Sequence, residues 1–315
     1  MSDGIVMGAA ALPEPERAWL AAAEQLPIAS IWQGGHILPP TATGEPITRL
    51  ALMTAWTERV RVGTAVLVLP LYHPVIVAKQ VADLDSRSGG RLSLGVGVGG
   101  EFPDEFNAVG VPREERGSRM DESIDVMRKL WAGGPVTHQG KHFPLNAIEL
   151  RAVVSPGQDK PGMQPGGPPI IVSGRKEPAM RRAARVGDGF MPYLVSPNAY
   201  ARAAEMIRVE AAAQGRSLQR FEWMLYLYCS IRRDGDRARD DVEKFLGGAY
   251  GDKPRDMLDK IAPSGTPDQV AARLQAYVDA GVRHIIISPA AQRDTLEVVT
   301  LAAREVLPQL KLPTA

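Results

Sequence analysis

Residues 59–101 read RVRVGTAVLVLPLYHPVIVAKQVADLDSRSGGRLSLGVGVGGE and contain the most informative pattern of strand and helix in the chain. The largely apolar run over 60–69 is rich in β-branched side chains, as in a strand buried on both faces of a parallel sheet. Residues 74–88 then repeat apolar side chains at helical spacing, with proline in the first turn and a glycine pair after the last. A second buried strand over 92–98 ends in glycines. The stretch predicts a strand–helix–strand unit whose ligand sites lie beyond the carboxyl ends of the strands.

The same alternation of strand and helix recurs along the chain. Each apolar strand is followed by a helical pattern, and the predicted strands begin at Gly4, Ile28, Val60, Leu92, Ile170, Gly189, Trp223 and His284. A count of eight, with about 40 residues per unit, favours a (β/α)₈ TIM barrel over an open doubly wound sheet. We expect a single domain over residues 1–315.

The alternation is interrupted between the fourth and fifth strands. Residues 136–143 predict a small hairpin with Gln139-Gly140 between its arms. Residues 155–169 are crowded with proline and glycine, which excludes a helix or a central strand. We expect an insertion that forms a flexible lid at the rim, with a domain boundary as the alternative. The insertion is favoured because the alternation resumes at Ile170.

Composition and charge limit the classes of function. The chain has 315 residues, 44% hydrophobic and 23% charged, which is enough to bury a large core. Its 37 basic and 36 acidic side chains give a net charge of +1, so we expect no nucleic acid as a partner. The amino-terminal residues lack a signal-peptide pattern, and we expect no membrane span. The single cysteine, Cys229, lies in an apolar run typical of a buried thiol in a reducing compartment, which indicates a cytoplasmic protein.

The glycines that end the fourth strand match the letters G-x-G-x-x-G at Gly95, Gly97 and Gly100. A dinucleotide-binding fold would need a helix to begin at once, with its amino terminus on the pyrophosphate. The proline within 102–104 instead predicts a loop. We therefore interpret the glycines as the end of a barrel strand, where a flat ligand approaches the backbone.

A second candidate site follows the fifth strand, in the sequence Ser173-Gly174-Arg175-Lys176. Free amides at the start of the next helix, a hydroxyl and two cations form a candidate phosphate site. The alternative is an ordinary strand-to-helix turn capped by Ser173.

Two of the five histidines follow strands at the predicted catalytic end. His36 follows the second strand and His73 the third, and an imidazole there is a candidate for chemistry, with a solvated bystander as the alternative. His138 and His142 belong to the hairpin, and His284 opens the last strand. We expect no metal, since no pair of histidines or carboxylates has metal-ligand spacing. No G-x-S-x-G segment supports a hydrolase triad.

Several segments together resemble a known family. They are SIWQGGHILPP (30–40), the block over 60–101, RMDESIDVMRKLW (119–131) and IIVSGRKEPAMRRAARVGDGF (170–190). In combination they closely resemble the bacterial luciferase-like superfamily, in particular its coenzyme F420-dependent oxidoreductases. The resemblance implies a (β/α)₈ barrel that binds a flavin or 5-deazaflavin at the carboxyl ends of its strands. It also implies hydride transfer or monooxygenation, and a homodimer.

The resemblance also implies which residues contact the cofactor. A non-prolyl cis peptide on the third strand backs the ring in the F420 enzymes, and the matching pair here is Ala65-Val66. The loop after the fourth strand matches Val98 and Gly99, and the phosphate loop matches Ser173, Gly174 and Arg175. We expect a backbone distortion, in the form of a cis peptide, at Ala65-Val66.

One departure from the family affects the catalytic group. Many F420 enzymes have aspartate before the histidine that follows strand two, whereas this chain has Gly35-His36. Without that negative charge we expect a neutral His36, which is the best candidate for proton donor or acceptor, with Glu101 as the reserve acid. The alternative is that His36 only packs against the ring.

The resemblance leaves three functions to compare. The first is an F420-dependent oxidoreductase that transfers a hydride between the deazaflavin and a small organic substrate. The second is an FMN-dependent luciferase-like monooxygenase, and the third is a non-catalytic flavin-binding barrel. Specificity would lie in loops such as 101–117 and in the insertion, so the sequence does not name the substrate.

Overall fold

The computed structural model describes residues 4–11, 16–40, 42–151, 164–250, 258 and 260–313. Its strands are β1 (Val6–Ala10), β2 (Ser30–Gly35), β3 (Arg61–Val68), β4 (Leu92–Gly97), β5 (Val136–His138), β6 (Leu145–Ile148), β7 (Ile170–Val172), β8 (Gly189–Phe190), β9 (Glu222–Ile231), β10 (Ser264–Gly265) and β11 (His284–Pro289). Its helices are α1 (Arg17–Glu24), α2 (Pro46–Trp56), α3 (Pro74–Ser88), α4 (Pro103–Ala108), α5 (Arg116–Trp131), α6 (Glu177–Val186), α7 (Pro197–Ala213), α8 (Gly235–Tyr250), α9 (Pro267–Asp279) and α10 (Thr295–Leu301).

Eight of these strands close into a barrel. Each is parallel to its neighbours in the order β1-β2-β3-β4-β7-β8-β9-β11, and β11 pairs with β1. Strand β8 joins β7 to β9, and on the β9 side Gly189 lies opposite Glu222 and Phe190 opposite Trp223. The predicted (β/α)₈ barrel is therefore confirmed, and an open doubly wound sheet is excluded.

Apolar side chains fill both the barrel and the layer between the strands and the helices. The interior cluster consists of Ala10, Trp32, Ile171, Met191, Met224, Tyr226 and Ile286. Four partly buried residues pack against this cluster, namely Ala65, Val66, Tyr193 and Tyr228. None of the described helices combines the length and the hydropathy needed to cross a membrane.

Polar side chains close the amino-terminal end of the barrel. Arg61 of β3 donates two hydrogen bonds of 2.9 Å to the carboxylate of Glu222 on β9. The Ser30 hydroxyl lies 2.7 Å from Nε2 of His284 and accepts a hydrogen bond of 2.7 Å from the indole of Trp32. Since ligand sites in such barrels lie at the opposite end, we assign this network to stability.

The structure corrects the prediction of a loop over 102–104, because helix α4 begins at Pro103. Proline is tolerated at the first position of a helix, where its missing amide would have had no partner in any case. The predicted loop was wrong, so it does not exclude a dinucleotide-binding fold. The closed barrel excludes that fold instead.

Smaller corrections concern the ends of elements. The first strand covers Val6–Ala10 instead of starting at Gly4. Its pairing with β11 begins at Val6, and its pairing with β2 extends to Ala10. The hairpin is confirmed, but its second arm lies beyond Phe143, with Val136 opposite Ile148. The predicted insertion over 155–169 lies outside the described residues up to 163, and its role as a lid stays a prediction.

Candidate functional site

The carboxyl ends of the barrel strands form an open end that we call the mouth. Strand β3 is buried at five of its eight positions, and two of the three that are only partly buried are Ala65 and Val66, which face the mouth beside the interior cluster. Residues 98–100, just after β4, are also partly buried. The mouth therefore has an apolar floor that is accessible to a ligand.

The backbone of β3 is distorted at this floor. The peptide bond between Ala65 and Val66 is cis, and the pairing of β3 with β4 changes register between Gly63 and Leu67. The pairing with β2 shifts at the same level of the barrel. The cis peptide predicted at this pair is thus confirmed.

The glycines after β4 allow the next loop to lie against β3. A side-chain carbon placed on Gly97 would lie 2.7 Å from Cγ2 of Val66, and one placed on Gly99 would lie 2.5 Å from Cγ1 of Val68. Gly99 also has a φ angle of +61°, which L side chains rarely adopt. Glycine at these positions is therefore explained by close packing at the edge of the floor.

His36 lies at the rim, just past the end of β2, and is paired with a carboxylate. Its Nδ1 lies 2.9 Å from Oε2 of Glu105 on α4, and its ring packs edge-to-face on Phe102 at 4.7 Å between centroids. The His36 side chain is 32% exposed, whereas that of Glu105 is fully buried. A half-buried imidazole next to a buried carboxylate can accept or release a proton.

Glu105 is held by more than the imidazole. Its Oε1 accepts hydrogen bonds from the amides of Ile37, at 2.6 Å, and Leu38, at 3.1 Å. Burial by itself would raise the pKa of this carboxyl, but the hydrogen bonds from His36 and from the two amides outweigh burial and lower the pKa. The Glu105 carboxylate is therefore ionised near neutral pH.

This pair corrects the expectation that His36 has no negative neighbour. Gly35 indeed carries no carboxylate, but Glu105 supplies one from a separate element. The sequence prediction does not include Glu105, because it places Pro103 in a loop. Proline followed at once by acidic residues is a signal for the first turn of a helix, and that signal could have placed Glu105 just after the glycine segment.

Glu101 belongs to a second polar group on the rim. Its Oε1 accepts a hydrogen bond of 2.5 Å from the hydroxyl of Tyr193, which follows β8. The guanidinium of Arg175, after β7, lies over the Tyr193 ring at 4.8 Å. Three loops that follow three different strands thus meet around Tyr193, as expected for residues at the carboxyl ends of barrel strands.

The loop after β7 leaves the start of α6 without a side-chain cap. The N-cap residue is Lys176, and its side chain accepts no hydrogen bond from the helix. The alternative in which Ser173 caps the helix is therefore wrong. Ser173 itself is only 7% exposed, and Gly174 packs so tightly that a side-chain carbon there would lie 2.5 Å from Cβ of Ala179.

The other histidines have structural contacts. His73 accepts a hydrogen bond from the amide of Val75 at 3.4 Å and so caps α3, while its ring packs on Phe143 at 5.3 Å. His138 and His142 lie within hydrogen-bond or ion-pair distance of groups on α5. Among the residues that the structure describes, no cluster of His, Cys, Asp and Glu could hold a metal ion.

The chain is similar over most of its length to enzymes with named activities. The sequence profile described as luciferase-like monooxygenase matches residues 6–284. A 5,10-methylenetetrahydromethanopterin reductase of Archaeoglobus fulgidus is 25% identical over 302 residues, with 83% of this chain and 86% of that protein covered. An F420-dependent glucose-6-phosphate dehydrogenase of Beutenbergia cavernae is 28% identical over 328 residues, with 95% of this chain and 94% of that protein covered.

A solved structure has the same fold. It is an F420-dependent secondary alcohol dehydrogenase in complex with an F420-acetone adduct, with a TM-score of 0.85, 20% identity, and 98% of this chain and 99% of that chain covered. At that identity the likeness concerns the fold alone. Because the profile matches well over half of the sequence, the chain belongs to the luciferase-like monooxygenase family.

Proposed function

We propose that this protein is a coenzyme F420-dependent oxidoreductase that transfers a hydride between the deazaflavin and a small organic substrate. The observation that carries the proposal is the mouth itself, which combines an apolar floor with an imidazole backed by a buried carboxylate. A flat ring needs the floor, and the proton that accompanies a hydride needs the imidazole. The F420-dependent dehydrogenase of B. cavernae, similar along nearly its whole length, supports the choice of cofactor.

The residues of the mouth fit such a cofactor. The floor at Ala65 and Val66 is apolar and accessible, as a ring system requires. The loop before α6 carries the Ser173 hydroxyl and the Arg175 guanidinium, and the helix itself has no side-chain cap, so these groups suit a phosphate group. When bound, F420 would supply the hydride donor or acceptor.

Each site residue has a role in the proposal. The ring is backed by Ala65 and Val66 and bordered by Val98 and Gly99, and the phosphate is held by Ser173, Gly174 and Arg175. His36 takes up the proton that the substrate hydroxyl loses as its carbon gives up the hydride, or returns that proton to the carbonyl oxygen in the reverse direction. Glu101 is the reserve acid, held in place by Tyr193.

Titration of the purified protein with F420 and with FMN tests the choice of cofactor. We expect F420 fluorescence to change saturably at micromolar protein, and deazaflavin absorbance to fall when alcohols or sugar phosphates are added. Tight FMN binding with substrate-dependent oxygen uptake would support the second candidate, an FMN-dependent monooxygenase. Bound cofactor that stays inert towards a broad substrate panel would support a flavin-binding barrel without catalysis.

We also propose that residues 1–315 form a single domain, that two copies form a homodimer, and that the protein works in the cytoplasm. The family resemblance supports the dimer. The buried thiol of Cys229, whose pKa burial raises to about 12, is consistent with a reducing compartment. Sedimentation velocity would measure the assembly, with a monomer at micromolar concentration contradicting the dimer. Cell fractionation would test the location.

A further inference from the structure

Glu105 is a buried charged group at the mouth to which the proposed chemistry gives no task. It is fully buried, and its three hydrogen bonds converge on consecutive residues of one loop, His36, Ile37 and Leu38. The loop follows β2, whereas Glu105 lies on α4, which follows β4. One side chain therefore fixes the position of the loop that carries the imidazole.

We propose that Glu105 is a positioning residue whose carboxylate accepts a hydrogen bond from Nδ1–H of His36. The proton of the neutral ring is thereby kept on Nδ1, so that His36 exchanges protons only at Nε2. The inference rests on the proposed function for its catalytic consequence. A proton accepted at Nε2 turns the ring into an imidazolium, whose Nδ1–H still donates its hydrogen bond to Glu105. Glu105 does not take up the proton itself.

The donor and acceptor roles follow from the chemistry of the two groups. An ionised carboxylate can only accept hydrogen bonds, so the contact of 2.9 Å requires a proton on Nδ1 of His36. In the neutral ring the lone pair then belongs to Nε2. In the described part of the chain, Glu105 is the one residue hydrogen-bonded to this imidazole.

The other titratable groups on this side of the mouth do not compete for the carboxylate. Tyr72 donates its hydroxyl proton to Glu45 at 3.1 Å. Burial raises the pKa of Tyr72, and the charges of Glu45 and Glu105 raise it further, so the phenol stays neutral. Glu101 is bonded to Tyr193. The hydrogen bonds of the Glu105 carboxylate are thus made with His36 and the amides of Ile37 and Leu38.

The replacement Glu105→Gln separates positioning from simple structural support. Glutamine has the same shape and keeps an oxygen that can accept the amide protons of Ile37 and Leu38, but it lacks the charge. Asp104→Asn is the matched control, since it removes one negative charge from the adjacent, exposed position of the same helix. A purely structural role predicts similar behaviour for the two variants once both are folded.

Long-range ¹H–¹⁵N spectra of the cofactor-free protein measure the protonation of the ring nitrogens. The chain has only five histidines, and the signals of His36 are assigned by their loss in His36→Asn. We expect the neutral ring to carry its proton on Nδ1 in the wild type and in Asp104→Asn. In Glu105→Gln we expect loss of the fixed Nδ1 proton, because the side-chain amide that replaces the carboxylate can donate a hydrogen bond to Nδ1.

Kinetics of the F420-loaded protein supply the second readout. We expect Glu105→Gln to lower kcat by about 10- to 100-fold, the usual cost of losing the group that orients a histidine, with KM and cofactor Kd within about threefold. A wild-type spectrum with the proton on Nε2 would overturn the proposal, and so would a Glu105→Gln protein with wild-type spectra and kcat. If that variant does not fold, the wild-type spectrum decides alone. Absence of F420 binding together with the expected spectra would refute the proposed function and leave the tautomer assignment standing.

Discussion

Gly35 and Val66 lie so close that no side chain fits between them. A side-chain carbon placed on Gly35 would lie 2.1 Å from the carbonyl oxygen of Val66 and 2.7 Å from its carbonyl carbon. These are backbone atoms, which cannot rotate away as the end of a flexible side chain can. Packing of β2 against the floor of the mouth therefore leaves no room for a side chain at Gly35, and the carboxylate near His36 comes from Glu105.

This packing predicts different effects for two neighbouring glycines. We expect Gly35→Ala to lower the free energy of unfolding by about 1 to 3 kcal/mol, the usual cost of forcing atoms into a packed site. Gly34→Ala is the matched control, because no atom lies within 4 Å of a side-chain carbon at Gly34. Urea denaturation measures both, and equal stability of the two variants would contradict the packing argument. Gly35→Asp should likewise reduce turnover instead of improving it.

His36 itself is tested by His36→Asn. We expect turnover to fall by about 10²-fold or more, as when a general acid or base is lost, while cofactor affinity changes by less than a few fold. His73→Asn is a control at the same rim, and asparagine there can still cap α3. Steady-state kinetics and fluorescence titration measure the two quantities. Near-normal turnover in His36→Asn would mean that Glu101, or no side chain, carries out the proton transfer.

Arg175→Met tests the phosphate site. Methionine retains apolar contact with the Tyr193 ring but removes the charge that lies 4.8 Å above it. Because a hydrogen bond to a charged group contributes about 1.5 to 3 kcal/mol, we expect F420 affinity to fall by roughly 10- to 100-fold with little change in kcat at saturation.

The control for net charge is Arg202→Met, on an exposed position of α7. Its F420 affinity should match that of the wild type. Binding measured at low and high salt should also show a weaker salt dependence in Arg175→Met than in Arg202→Met, since one ionic contact is missing. Equal affinity of the two variants would place the phosphate elsewhere.

The sequence was sufficient to predict the barrel because its strands are buried on both faces. Such strands form apolar runs, as over 60–69 and 92–98, and these runs can be identified without knowing which strands pair with them. The rim is different. Glu105 contacts His36 across 69 positions of sequence, and neither residue's neighbours indicate the other. Motif resemblance located Ala65-Val66, but it could not show that a buried carboxylate from α4 replaces the missing aspartate.

Local signals also have more than one physical meaning. Proline at 103 taken alone is compatible with a loop and with the first position of a helix, and the acidic residues that follow it favour the helix. Ser173 has the residue type of a helix cap, yet α6 begins four residues later, at Glu177. These ambiguities fall at the mouth because loops there are shaped by contacts between elements, which sequence periodicity does not record.

The polar network at the amino-terminal end of the barrel makes the stability of the protein depend on pH. Burial would raise the pKa of Glu222, but the nearby His284, whose Nδ1 lies 4.0 Å from Oε2, and the hydrogen bonds and charge of Arg61 lower the pKa to about 2. Burial also lowers the pKa of His284, despite the carboxylate nearby. Both groups bind more protons when the chain is unfolded, so stability must fall as the solution is acidified.

The two groups act in successive pH ranges. The contribution of His284 is complete above its unfolded pKa of about 6.5 and declines below it, whereas that of Glu222 is complete above about 4.3 and is lost towards pH 2. A lowering of the Glu222 pKa by about two units corresponds to about 3 kcal/mol of stability at pH 7, of which roughly half remains at pH 3. We therefore expect Glu222→Gln to be less stable than the wild type at pH 7, with the difference shrinking at pH 3. Glu114→Gln, a change on an exposed side chain, should stay within about 0.5 kcal/mol of the wild type at both pH values. Urea denaturation of the three proteins measures these differences, and a deficit of Glu222→Gln that is independent of pH would show that the ionised network does not stabilise the barrel.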